Sequence, residues 1–165
     1  MTVQGIELRP LVGTDRPWLE KMLREHWGSL QVARQGELID ASILPGFVVQ
    51  RGPERIGLVT YRLAPDKCEV VTINSIRERI GVGKLLIHAV RDVANKQECV
   101  CLSVYTTNDN TNALEFYHKL GFQLRARFPG AVEESRLLKP EIPVVGANGV
   151  PIRDEIYLEL PLRAD

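Results

Sequence analysis

The residues best suited to chemistry sit at a turn. Arg77-Glu78-Arg79-Ile80-Gly81-Val82-Gly83-Lys84 joins a β-rich run to a strongly amphipathic segment. The first N–H groups of a helix have no internal partner, aligned peptide dipoles add partial positive charge there, and glycines let an anion approach the main chain. Arg77, Arg79 and Lys84 add cations nearby, so the turn is an anion site in outline. A glycine pair before a helix equally serves tight turns and close packing, and the pair alone leaves both readings open. Two nucleotide classes are excluded. Leu86 stands where G-x-G-x-x-G needs its last glycine, and no G-x-x-x-x-G-K-[ST] occurs.

The elements that must position this turn can be read from periodicity. Ile6 to Leu11 reads as a strand, and Leu19, Met22, Leu23 and His26 recur at helical spacing before Gly28. Residues 38–44, ahead of Pro45-Gly46, read as a short helix. Phe47 to Gln50 and Ile56 to Arg62 flank Arg51-Gly52-Pro53-Glu54 as a hairpin, and Cys68 to Ile73 completes a three-stranded meander. Over residues 82–96, Val82, Leu85, Leu86, Ala89, Val90 and Val93 hold one helix face, with Lys84, His88 and Arg91 largely elsewhere.

Cys99 to Tyr105 has few polar residues on either side, as a strand covered on both faces should. Asn110 opens a helix striped with Ala113, Phe116, Tyr117 and Leu120 and ended by Gly121; Phe122 to Phe128 is a strand. The Pro- and Gly-rich stretch 129–154 reads as a long loop with a short helix over 131–138, and long loops in compact domains are usually functional. Glu155 to Leu160 alternates as a one-sided strand. The order implies a mixed α/β fold with helices on both sheet faces.

Composition narrows the function. The chain has 165 residues, enough for one domain over 1–165. Its 21 Lys plus Arg balance 21 Asp plus Glu, which disfavours nucleic acid and acidic membranes as partners. There is no leader-like start and no membrane-length apolar run, and the three cysteines lack metal-ligand spacing. We expect a cytoplasmic protein with reduced, buried thiols and no metal.

The stretch Glu78-Arg79-Ile80-Gly81-Val82-Gly83 resembles motif A of the GNAT superfamily of acyl-CoA-dependent N-acetyltransferases, written Q/R-x-x-G-x-G/A. Asn110-Thr111-Asn112-Ala113-Leu114-Glu115-Phe116-Tyr117 through Gly121-Phe122 is similar to the family's N-x-x-A-x-x-F-Y-x-x-x-G-F. Both lie in order within a core from about 47 to 128. One departure stands out: Glu78 replaces the usual Gln or Arg. A carboxylate repels a pyrophosphate, so either it turns outward, with Arg77 or Arg79 supplying the cation, or cofactor affinity is reduced; the first is favoured.

The resemblance implies a twisted, mostly antiparallel sheet with a central parallel pair, and acetyl-CoA as co-substrate. Main-chain amides of Arg79, Ile80, Gly81, Val82, Gly83 and Lys84 would hold its pyrophosphate, Ile73 would meet the thioester and pantetheine arm, and Asn110 would contact the pantetheine or cap its helix. Tyr117 occupies the place of the general acid that protonates the departing thiolate; from periodicity alone it is a core residue. Glu69, four residues before Ile73 on the same strand face, is the leading base for the acceptor ammonium, its alternative being a solvated strand-end carboxylate. Trp27, Asp154 and Glu155 are further acceptor-site candidates. The implied activity is acetyl transfer to a primary amine, of a small molecule if the 129–154 loop walls the site, otherwise of a peptide. A non-catalytic acyl-CoA sensor is the competing reading, and a homodimer is possible.

Overall fold

The computed structural model of this chain describes residues 2–3, 5–76 and 81–163. The elements run β1 (Thr2–Val3), β2 (Ile6–Pro10), α1 (Arg16–Trp27), β3 (Gln31–Arg34), β4 (Glu37–Asp40), β5 (Gly46–Arg51), β6 (Glu54–Leu63) and β7 (Lys67–Ser75). They continue with α2 (Val82–Lys96), β8 (Cys101–Thr107), α3 (Thr111–Lys119), β9 (Gln123–Phe128), α4 (Ala131–Leu138) and β10 (Glu155–Pro161). The main sheet has the order β1-β2-β5-β6-β7-β8-β10-β9. Every pairing in it is antiparallel except β7 with β8, which the long α2 crossover makes parallel.

Helices cover both faces, as the pattern implies. On one, Val82, Leu86 and Val90 of α2 pack on Val49, Val59, Val70 and Leu102. On the other, Leu19, Met22 and Leu23 of α1 pack on Leu58 and Val71. Helix and sheet approach closely at Gly57, where an added Cβ would lie 2.4 Å from Val82 Cγ1. Only glycine lets the first turn of α2 settle there.

Residues 38–44 correct the sequence reading. In place of a short helix, β3 and β4 form a two-stranded hairpin, with a single 3-10 turn over Ala41–Ile43. Gln35 and Gly36 both take positive φ, 48° and 74°, the geometry of the tight turn that matches strand twist. Asp40 then accepts bonds from Ser42 N at 2.9 Å and Ser42 Oγ at 2.6 Å, which sets up the 3-10 turn. Strands of four residues are too short for alternation to stand out.

The segment after β9 folds as read, with α4 spanning Ala131–Leu138. Arg136 pins the following loop by donating to the carbonyls of Pro143 and Ile152, both at 2.7 Å. The buried Lys139 reaches back to donate to the carbonyls of Trp27 and, at 2.7 Å, Gln31. The loop is thereby laced to α1 and β3. Cys68, Cys99 and Cys101 are all buried and free, and burial pushes the Cys68 thiol up to about 12 and that of Cys101 to about 11. They are inert packing groups. Among the described residues, no helix is long and apolar enough to cross a membrane.

Candidate active site

The site begins where the parallel pair comes apart. β7 and β8 pair only from Lys67 with Cys101 to Val70 with Val104, yet β7 continues to Ser75 and β8 to Thr107. The cause lies on the other side of β7. There Thr60 pairs with Thr72 but Tyr61 with Val70, leaving Val71 as an extra, bulged residue. A bulge bends its strand and raises the local twist, so β7 turns away from β8 beyond Val71. The facing main-chain edges, including that of Ile73, are left without a strand partner.

On the α2 side, the open cleft meets a helix N-terminus. Gly81, with φ 81°, precedes α2, and an added Cβ there would meet nothing within 4 Å. The first-turn N–H groups of Val82, Gly83 and Lys84 are the ones a helix leaves without internal partners. The Val82 side chain is buried against Gly57, so its part in an anion site is confined to the main chain, while the Lys84 side chain is exposed. Gly83 has a second task. An added Cβ would lie 3.0 Å from two ring atoms of Phe116, so its lack of a side chain lets α3 close on α2. The close-packing reading of the glycine pair thus holds at Gly83, while Gly81 leaves open space beside the helix start. Arg77, Glu78, Arg79 and Ile80 lie outside the described residues.

Tyr117 of α3 is 4% exposed, wedged edge-on between Phe116 and Phe122 at centroid distances of 5.2 and 5.1 Å. Burial raises its phenol well above the usual value, so it stays protonated at neutral pH. Its hydroxyl makes no hydrogen bond among the described residues, and no sealed polar side-chain atom there lacks a partner. Asn110 does not cap α3; its Nδ2 donates to Thr106 Oγ1 at 3.2 Å, and the residue lines the cavity described next.

On the α1 side, the splayed strands open into a cavity of about 120 Å³. Its apolar wall is Trp27, Val32, Val71 and Tyr105, and its charged groups are Arg34, Glu69 and Glu155. Trp27 is held by donating from Nε1 to Asn74 Oδ1 at 2.8 Å. Glu69 is paired with two guanidinium groups: Arg34 donates to both its oxygens, with Nε at 2.8 Å, and Arg62 reaches it at 3.4 Å. Arg34 in turn lies 4.4 Å above the Tyr105 ring. Glu155 is buried, at 3% exposure, and its partners are all neutral. Oε1 accepts from Gln35 N at 2.9 Å and Gln35 Nε2 at 2.7 Å, and Oε2 accepts from Ser135 Oγ.

Asp154, its neighbour, lies apart from this cavity. It accepts from Gly130 N at 3.0 Å and Arg127 Nη2 at 2.8 Å, and the Gly130 amide followed by the guanidinium holds its carboxyl below the usual range. His88 and His118 are exposed, as their helix positions imply. A second cavity of about 440 Å³ adjoins the first, sharing Trp27, Val32, Ala33 and Thr107 and reaching Lys139 and Glu141. Arg34, Tyr105 and Ser135 were not foreseen as site residues. Tyr105 could have been found from its place at the end of the covered strand, but Arg34 belongs to the hairpin that periodicity did not reveal.

Comparison with known proteins agrees with this architecture. The chain is 41% identical over 139 residues to the uncharacterized protein YdhI of Bacillus subtilis (strain 168), covering 84% of this chain and 87% of that protein. The structure resembles yncA, a putative acetyltransferase from Salmonella typhimurium solved with its cofactor acetyl-CoA. The TM-score is 0.70 and the identity 14%, over 98% of this chain and 96% of the other. It also resembles a GNAT family acetyltransferase from Elizabethkingia anophelis with acetyl-CoA bound, with TM-score 0.66 and 18% identity over 97% and 100%. Residues 12–122 match the acetyltransferase (GNAT) family, and the chain belongs to that family of acetyl-CoA-dependent acyltransferases.

Proposed function

We propose that the protein transfers the acetyl group of acetyl-CoA to the primary amine of a small molecule by direct attack. The observation that carries this reading is the splay of β7 and β8. It opens at once onto the α2 N-terminus, where main-chain amides suit a pyrophosphate, and onto a small cavity holding carboxylates. The pantetheine arm would thread the gap with its thioester beside Val71 and Ile73, where unpaired main-chain groups suit the tetrahedral oxyanion.

Tyr117 is proposed as the acid that protonates the leaving thiolate: its phenol stays protonated and its hydroxyl makes no hydrogen bond among the described residues. Trp27 and Tyr105 would flank the acceptor. Glu69 and Glu155 both face the place where its ammonium must lose a proton. The size of the cavity and the α4 loop laced over its side favour a small acceptor over a protein chain. The balanced composition and free buried thiols fit a cytoplasmic setting.

The test is release of CoA from acetyl-CoA by wild type and Tyr117→Phe over a panel of amines, amino acids and peptides. Amine-dependent release, reduced on the order of 100-fold in kcat with KM little changed, is the expected result. Tight CoA binding without release for any acceptor would point to a sensing module instead.

A further inference from the structure

We infer that Glu155, not Glu69, is the carboxylate that binds the acceptor ammonium and takes its proton; this rests on reading the cavity of about 120 Å³ as the acceptor site. The two carboxylates line the same cavity but differ in charge balance. Glu69 has two guanidinium partners, Arg34 and Arg62, so its negative charge is already met. Its oxygens accept those bonds, and Arg34 itself stacks on Tyr105. An ammonium approaching Glu69 would meet two cations as well.

Glu155 has no ion-pair partner among the described residues. A buried carboxylate surrounded by neutral donors is costly, and a cation arriving beside it removes that cost. A carboxylate offers about four lone-pair positions. Gln35 N, Gln35 Nε2 and Ser135 Oγ take three of them, which leaves one on Oε2 for a guest. The three donors orient the group, and they come from the β3–β4 turn and from α4. Gln35 is held at φ 48°, a conformation disfavoured for a residue with a side chain, by this same carboxylate.

The proton balance closes. The acceptor R–NH3⁺ gives one proton to the Glu155 carboxylate and becomes the nucleophile. The C–N bond forms at the thioester carbonyl, and the C–S bond breaks as Tyr117 donates a proton to the thiolate. The second N–H proton lost from the amide nitrogen restores Tyr117, and the proton on Glu155 passes to solvent as product leaves. The class of acceptor this favours is a small primary alkyl- or arylalkylammonium, its apolar body against Trp27, Val32 and Val71 and its charge at Glu155.

Two measurements on the full chain test this. With glutamate labelled by ¹³C at the side-chain carboxyl, the Glu155 and Glu69 resonances are assigned by their loss in Glu155→Gln and Glu69→Gln. Methylammonium, propylammonium and benzylammonium chlorides are then titrated with and without CoA, potassium chloride serving as control. The Glu155 resonance of the wild type should move saturably with at least one of them while that of Glu69 does not. Glu155→Gln should weaken the binding by about thirtyfold or more. Saturable movement at Glu69, or none at Glu155 with any of the three, overturns the inference.

The second measurement uses an amine that turns over. Glu155→Gln should lose kcat/KM at neutral pH and recover about tenfold per pH unit as free amine is supplied by the buffer. A merely structural role would leave a constant deficit across pH. Absence of turnover by the wild type would count against the acetyltransferase reading for these amines, whereas the titration judges Glu155 by itself.

Discussion

On the α2 side of the cleft the surface proposed for the donor is main chain, whereas on the α1 side the surface proposed for the acceptor is side chains drawn from α1, β3, β7, β8 and β10. The donor side needs glycines and a helix start, which neighbouring residues supply. The acceptor side needs charges at defined places, and the chain assembles them from residues as far apart as Gln35 and Glu155. The contrast fits the family's chemistry. One donor, acetyl-CoA, calls for one backbone cradle, and a varied set of amines calls for side chains that can change without touching it.

The sharpest way to break this division is Gly83→Val. Its Cβ would lie 3.0 Å from the Phe116 ring, and the β-branch would force α3 off α2. We expect about 1–3 kcal/mol of destabilisation and a fall in CoA affinity of roughly tenfold, read by thermal unfolding and calorimetry, with ammonium binding at Glu155 retained. Loss of ammonium binding to the same degree would mean the two sides are one unit.

A smaller effect is expected from Arg34→Met on the acceptor side. It leaves Glu69 with Arg62 alone, at 3.4 Å, in a setting where the Glu69 side chain is 12% exposed. The cost should be about 1–2 kcal/mol, below that of a wholly buried pair because solvent still reaches the group. CoA affinity should stay within about twofold, since no part of the donor cradle is touched. A CoA defect as large as that of Gly83→Val would erase the distinction.

The smallest effect is predicted for Asp154→Asn. The folded carboxyl titrates below its unfolded value, so its contribution is complete above the unfolded value and lost as pH falls through the folded one. The variant should lower the melting temperature at neutral pH by about 1–3 °C, with the difference from wild type vanishing in strong acid. Activity should be unchanged, in contrast to Glu155→Gln one residue on. Equal activity losses in the two would remove the reason for assigning the chemistry to Glu155.

How much of this was legible beforehand follows from how local each feature is. α2 shows in the spacing of Val82, Leu86 and Val90, and its glycine turn shows because Gly81 supplies a positive φ just before the helix and Gly83 a close contact with α3. The meander and α4 emerged for the same reason. The β3–β4 hairpin did not, because its turn is held in part from 120 positions away, by the bonds from Gln35 to Glu155. Glu69 was singled out as base from its place on the strand, which says nothing of Arg34 folding over it from that unread hairpin.

By itself the sequence determined the mixed α/β order, the helix that starts at a glycine turn and the tyrosine at a core-facing helical position, since periodicity and backbone chemistry are properties of short segments. The tertiary structure alone decided where β7 leaves β8, which of two adjacent acidic residues lines the cavity, and which of its two carboxylates has no ion-pair partner among the described residues. Those depend on a bulge set by cross-strand register and on the company a side chain keeps after distant segments meet, and neither is encoded in any one window of the chain.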